Sequence, residues 1–111
     1  MKVCYIAHPI SGNVQKNLAH LFLTIEQVQR ENPEIYAFAP YVTDAIALND
    51  AQPEHRTIAM DHCRLVLETF PIDEVWLTGD KISAGMTQEK EWAEQRGIPV
   101  VNKIGLFKFN V

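Results

Sequence analysis

Hydrophobic and polar positions change their period several times along the chain. The run "KVCYIA" at positions 2–7 is almost wholly apolar and β-forming, and "HPISG" closes it with a proline and a glycine. That pattern predicts a buried strand followed by a turn. Val14, Leu18, Leu21, Phe22, Ile25 and Val28 then fall on one helical stripe. A helix is predicted from about Gly12 to Arg30, with Ser11 as its cap and "ENPE" as its stop. "IYAFAP" predicts a second strand, stopped by Pro40. "YVTDAIALNDAQPEH" predicts one short helix, Thr43 to Leu48, and a loop through Pro53. A longer helix follows from His55 to Phe70, with Ala59, Cys63, Val66 and Phe70 as its buried stripe and Leu67 beside it. Pro71 breaks it, "DEVWLTG" gives a third strand, and Ser83 caps a last helix to about Arg96, where Gly97 can end it in the left-handed conformation. "IPVVN" gives a fourth strand. "LFKFNV" alternates, which fits an edge strand or an arm onto a second subunit.

Strands alternating with helices imply parallel βαβ units, and right-handed crossovers put helices on both faces of a small sheet. The fold class expected is therefore α/β, a doubly wound parallel sheet of four to five strands. At 111 residues, without repeats or linkers, the chain suits one domain spanning 1–111. In such sheets the ligand site lies beyond the carboxyl ends of the strands, where strand order reverses. That points to two loops, "HPISG" and "TGDKISAGM".

Composition narrows the function classes. A hydrophobic fraction of 47% and a charged fraction of 22% are those of a globular protein. The formal net charge of −4, with no Lys/Arg cluster, argues against polymeric nucleic acid as a partner but leaves a small nucleotide open. The first apolar run is too short for a membrane span, and the expectation is a cytoplasmic protein. Cys4 and Cys63 stand alone, as reduced buried thiols do. His8, His20, His55 and His62 have no ligand spacing. No metal and no cofactor is expected.

Candidate chemistry centres on the last helix. At about 100° per residue, Met86, Glu89, Ala93 and Gly97 share one stripe, flanked by Trp92. Thr87, Gln88, Glu91, Glu94 and Gln95 lie opposite. Glu89 is thus a carboxylate on the apolar, inward face, while Glu91 and Glu94 face water. A buried carboxylate without a partner is costly. Three readings stay open: a rim residue paired with a lysine, a local backbone bond, or a catalytic group. Pattern alone favours the structural ones. The loop His8, Pro9, Ile10, Ser11, Gly12 offers backbone donors to an anion, though most turns of this composition bind nothing. On pattern alone Asp80 and Ser83 read as turn and cap residues, Asp61 as a residue of a polar helix face, and Arg56 as a residue at a helix start.

The ordered set "YIAHP", "PEHR", "DEVW", "SAGMTQEKEWA" and "GIPV" resembles the nucleoside 2-deoxyribosyltransferase superfamily, and in particular the small phage and bacterial proteins of unknown function grouped with it. The resemblance spans nearly the whole chain. It implies a flavodoxin-like three-layer fold with Glu89 as nucleophile and Tyr5 orienting its carboxylate. Asp80 and Ser83 would lie near the sugar or its 5′ substituent, together with Gly85 and Met86 of the same motif. The loop from His8 to Gly12 would meet the sugar's 5′ end or a 5′-phosphate. The segment "YVTDAIALNDAQPEHR" is left to shape the base pocket. The implied reaction is N-glycosidic cleavage or (deoxy)ribosyl transfer on a nucleoside or nucleoside 5′-monophosphate, in a homo-oligomer whose neighbouring subunit closes the pocket. The alternative is a nucleotide-binding module of the same fold without turnover.

Overall fold

The first strand, β1 (Lys2–Ala7), has Cys4, Tyr5, Ile6 and Ala7 all at 0% exposure in a computed structural model that describes residues 1–107. A strand buried on both faces reads as a continuous apolar run, and its place is the middle of a sheet. The order is α1 (Val14–Glu31), β2 (Ile35–Phe38), α2 (Val42–Ala47), α3 (Pro53–Thr69), β3 (Glu74–Leu77), α4 (Ala84–Gln95) and β4 (Val100–Asn102). The four strands are all parallel in the order β2-β1-β3-β4. Helices cover both faces, giving the expected flavodoxin-like three-layer α/β architecture. Right-handed crossovers place α1 on one face and α3 and α4 on the other, and α3 and α4 pack against each other. The chain leaves β1 toward β2 and later returns to its other side as β3. The reversal point therefore lies between β1 and β3, where Ala7 pairs with Leu77.

Several expectations are corrected in detail. Asn13, not Ser11, caps α1: its side chain accepts from the Lys16 amide at 3.2 Å. Ser11 donates instead to Asp50 Oδ1 at 3.1 Å, because Gly12, at φ +98°, turns the chain between loop and helix. Phe22 is 49% exposed, whereas Thr24 is fully buried and donates its hydroxyl to the His20 carbonyl at 2.9 Å. Helix α1 packs on β2, the sheet's edge strand, so its buried arc is narrower than its apolar stripe. Helix α3 starts at Pro53, which occupies the first turn where its missing N–H costs nothing. Phe70, expected in the stripe of α3, caps the helix and is 40% exposed, its ring stacked on Phe38 at 6.1 Å. The alternating tail is named above as an edge strand or arm; its residues 108–111 lie outside the described residues. Among those described, no helix is long and apolar enough to cross a membrane.

Candidate functional site

Two loops meet where β1 and β3 end. The Thr78 amide and hydroxyl both donate to the Ala7 carbonyl, at 2.9 and 2.8 Å. Gly79 follows at φ +94°, and a Cβ there would stand 2.6 Å from Pro9 Cδ and 3.4 Å from His8 Nε2. Only glycine admits both the backbone conformation and the close approach. The first loop is braced from inside. Asn17 Nδ2 donates to the Ile10 and Ser11 carbonyls at 2.9 and 3.2 Å, and His8 Nδ1 lies 2.9 Å from the Pro9 carbonyl. The Pro9, Ile10 and Ser11 carbonyls are thus occupied, while the Ile10 and Ser11 amides have no partner among the described residues.

Beside these loops, on the α3/α4 side of the sheet, lies a cavity of about 330 Å³. That is within the range of small-molecule sites. Pro9, Ile10 and Ser11 form one wall, α2 and the start of α3 another, and residues 81–86 the third. His8, Tyr41, Cys63, Met86 and Glu89 are its buried lining residues.

Glu89 is 6% exposed, in the second turn of α4, whose cap is Ser83 accepting from the Met86 amide at 3.3 Å. Neither a lysine nor a local backbone group answers its charge. Its partner is Tyr5, whose hydroxyl donates to Glu89 Oε2 in a buried hydrogen bond between the central strand and α4. Alternation along β1 sends Tyr5 to this face, and Cys63 lies within hydrogen-bond reach of the same hydroxyl. The Tyr5 ring packs 5.9 Å from Tyr41, which donates to the Ile6 carbonyl at 2.5 Å. Burial pushes the Glu89 carboxyl up to about 7, and the Tyr5 hydrogen bond pulls the other way. Burial also raises the phenol of Tyr5, so the tyrosine stays a donor.

The remaining expected residues divide. Pro9, Ile10, Ser11, Ser83, Gly85 and Met86 line the cavity with Glu89. Gly85 has a negative φ, and a Cβ there would meet nothing closer than Met60 Sδ at 3.8 Å. Neither backbone nor packing demands glycine, so its open side is cavity space. Asp80 and Gly12 are exposed and do not line the cavity. His8 borders it, but its ring is buried against Gly79, and His20 of α1 acts on its charge. Burial lowers its pKa, so it brings no positive charge, and its Nε2 is the one buried side-chain nitrogen or oxygen without a partner among the described residues. Tyr41, Asp44, His55 and Arg56 belong to the segment expected to shape the base pocket, and Lys81 to the second of the two loops singled out. None is individually expected as a site residue, and Met60 is not expected at all, yet all line the cavity. The "PEHR" motif was the available signal for two of them. Among the described residues no three His, Cys, Asp or Glu side chains are grouped to hold a metal ion.

The chain belongs to a protein family described as a domain of unknown function (DUF7768), whose family model matches residues 2–103. No curated protein matches it.

Proposed function

We propose that the chain cleaves, or transfers the sugar of, an N-glycosidic bond in a nucleoside or nucleoside 5′-monophosphate, with Glu89 as nucleophile. The observation that carries this reading is a carboxylate 6% exposed, bonded by a buried tyrosine, in the wall of a cavity at the sheet's reversal point. Tyr5 engages Oε2, and Oε1 has no partner among the described residues. Oε1 attacks the anomeric carbon, the C1′–N bond breaks, and its electron pair leaves with the base, which takes up a proton. Water or a second base then attacks the glycosyl ester, releases the sugar and restores the carboxylate. Tyr5 holds the carboxylate in place, and the low polarity of the site strengthens the effect of its charge on the cationic sugar. The ordered sequence match supports the same roles. The proposal keeps the cytoplasmic setting expected from the N-terminal sequence and the homo-oligomeric state that the resemblance implies.

The test is release of free base, followed by chromatography, from a panel of ribo- and deoxyribonucleosides and their 5′-monophosphates. Release by the wild type and its loss in Glu89→Ala support the reading. Equal release by both, or none by either, defeats the catalytic claim.

Binding without turnover is a second reading, favoured by one feature. With its pKa pushed to about 7, Glu89 is half protonated in the empty protein at neutral pH, and a protonated carboxyl is a hydrogen-bond donor rather than a nucleophile. Thermal stabilisation by a nucleotide without base release is the result this reading expects.

A further inference from the structure

The polar groups around the cavity separate into those already committed and those left over. Glu89 is held by Tyr5. Asp44 lies 2.7 Å from His62 Nδ1, and Asp50 accepts from Ser11 at 3.1 Å. His55 Nδ1 accepts the Asn49 amide at 2.8 Å, so its other ring nitrogen carries the proton and is a donor. What remains is Arg56, on the first turns of α3, and Lys81, in the loop before α4. Both line the cavity, both are exposed, and neither forms an ion pair among the described residues. They stand on different elements, and the same cavity is also lined by apolar side chains such as Ala59, Ile82 and Ala84. Arg56 and Lys81 are therefore the arginine and lysine cations of this cavity, both without an ion pair among the described residues, in a chain whose net charge is −4.

We propose that Arg56 and Lys81, with His55 as a further donor, hold a phosphate group of the ligand at the cavity mouth, so that the site prefers phosphorylated nucleosides over nucleosides. This rests on reading the cavity as a nucleoside site. It differs from the sequence expectation in placing the phosphate on α3 and the 81–83 loop rather than on the loop from His8 to Gly12, whose histidine is neutral. Arg56 supplies a planar fork that matches two phosphate oxygens, and Lys81 a mobile point charge. Asp44 and Asp50 share the wall, which keeps the mouth near neutral overall. Binding there depends on pairing with the two cations more than on a broad positive field.

Dissociation constants are measured by calorimetry for nucleosides and their 3′- and 5′-monophosphates, on Glu89→Gln protein so that ligands stay intact. The same set is measured with Arg56→Gln and Lys81→Gln added singly and together. Both cations are exposed, and melting curves establish that the variants fold. Monophosphates are expected to bind at least about tenfold more tightly than their nucleosides, the scale of a charge-assisted contact. Each substitution should remove part of that preference and lower the sensitivity of monophosphate binding to added salt, the two together should abolish the preference, and nucleoside affinity should stay unchanged. Equal affinity for nucleosides and monophosphates, or a double variant that keeps the phosphate preference, overturns the assignment. So does a preference lost only when the first loop is altered, as in Ser11→Pro. Base release from nucleosides with no phosphate preference would overturn this inference and leave the glycosidase reading standing. Phosphate-dependent binding without base release would do the reverse.

Discussion

Glu89 sets the pH behaviour of the molecule. In the proposed reaction Glu89 works as nucleophile only when ionised, so kcat/KM is expected to rise about tenfold per pH unit on the acid side and to level off above about 7. Tyr5 donates to the carboxylate and lowers its pKa, so Tyr5→Phe should move that midpoint to higher pH. A Tyr5→Phe profile with an unmoved midpoint would show that the hydrogen bond does not tune the carboxylate. Stability carries the opposite dependence. The folded protein holds the Glu89 proton up to about 7 against an ordinary value of 4.5, so it binds more protons than the unfolded chain in that window. The resulting stability is fully present below pH 4.5 and is lost progressively as pH rises to about 7. The shift corresponds to roughly 3 kcal/mol in order of magnitude. Urea unfolding across pH 5 to 8 should therefore show wild type weakening relative to Glu89→Gln, which has no proton to lose. Parallel curves for the two proteins would contradict the burial of an ionisable group there.

The elements around the site depend on a few local features. Gly79→Ala has to adopt φ +94° and place a methyl 2.6 Å from Pro9. It should cost about 2 kcal/mol or more in unfolding free energy and weaken ligand binding, because both loops shift. Ser83→Ala removes the cap of α4 and should cost about 1 kcal/mol, measured the same way. These elements differ in how far their residues announced them. Helix α4 was legible to its ends, since Ser83 and Gly97 mark both termini and Glu89 falls on the apolar stripe. The cap of α1 was not, because Ser11 and Asn13 are equally good caps by residue type and only the turn at Gly12 decides between them. The partner of Glu89 was not legible from pattern either. Tyr5 and Glu89 lie 84 positions apart, and their meeting depends on which face of β1 turns toward α4. The resemblance supplied that pairing where periodicity left it open. Asp44 and His55 were legible only as members of a pocket-shaping segment, because which of its side chains face the cavity is decided once α2 and the start of α3 fold over the strand ends.

At the scale of the whole molecule, a sheet buried through its central strand keeps both thiols inside. Burial pushes Cys4 up to about 11 and Cys63 to about 12, so neither is a thiolate at pH 8. A thiol reagent should label both only as fast as the protein opens, and a ligand filling the cavity should slow labelling of Cys63, which lines it. Rapid labelling of Cys63 in the folded protein would mean that the cavity floor is open to water. The parallel order β2-β1-β3-β4 brings the ends of β1 and β3 together and gives the molecule its cavity. Glu89, in the second turn of α4, gives that cavity the buried carboxylate on which the proposed reaction rests. The decisive comparison is the rate of base release at pH 8 from the best substrate in the nucleoside and nucleotide panel, for wild type, Glu89→Gln and Glu91→Gln. Glu91 lies two positions along on the exposed face of the same helix. Loss of about a thousandfold or more in Glu89→Gln, the scale of removing a nucleophile, with Glu91→Gln at the wild-type rate is the expected result. Equal rates in all three proteins would contradict it.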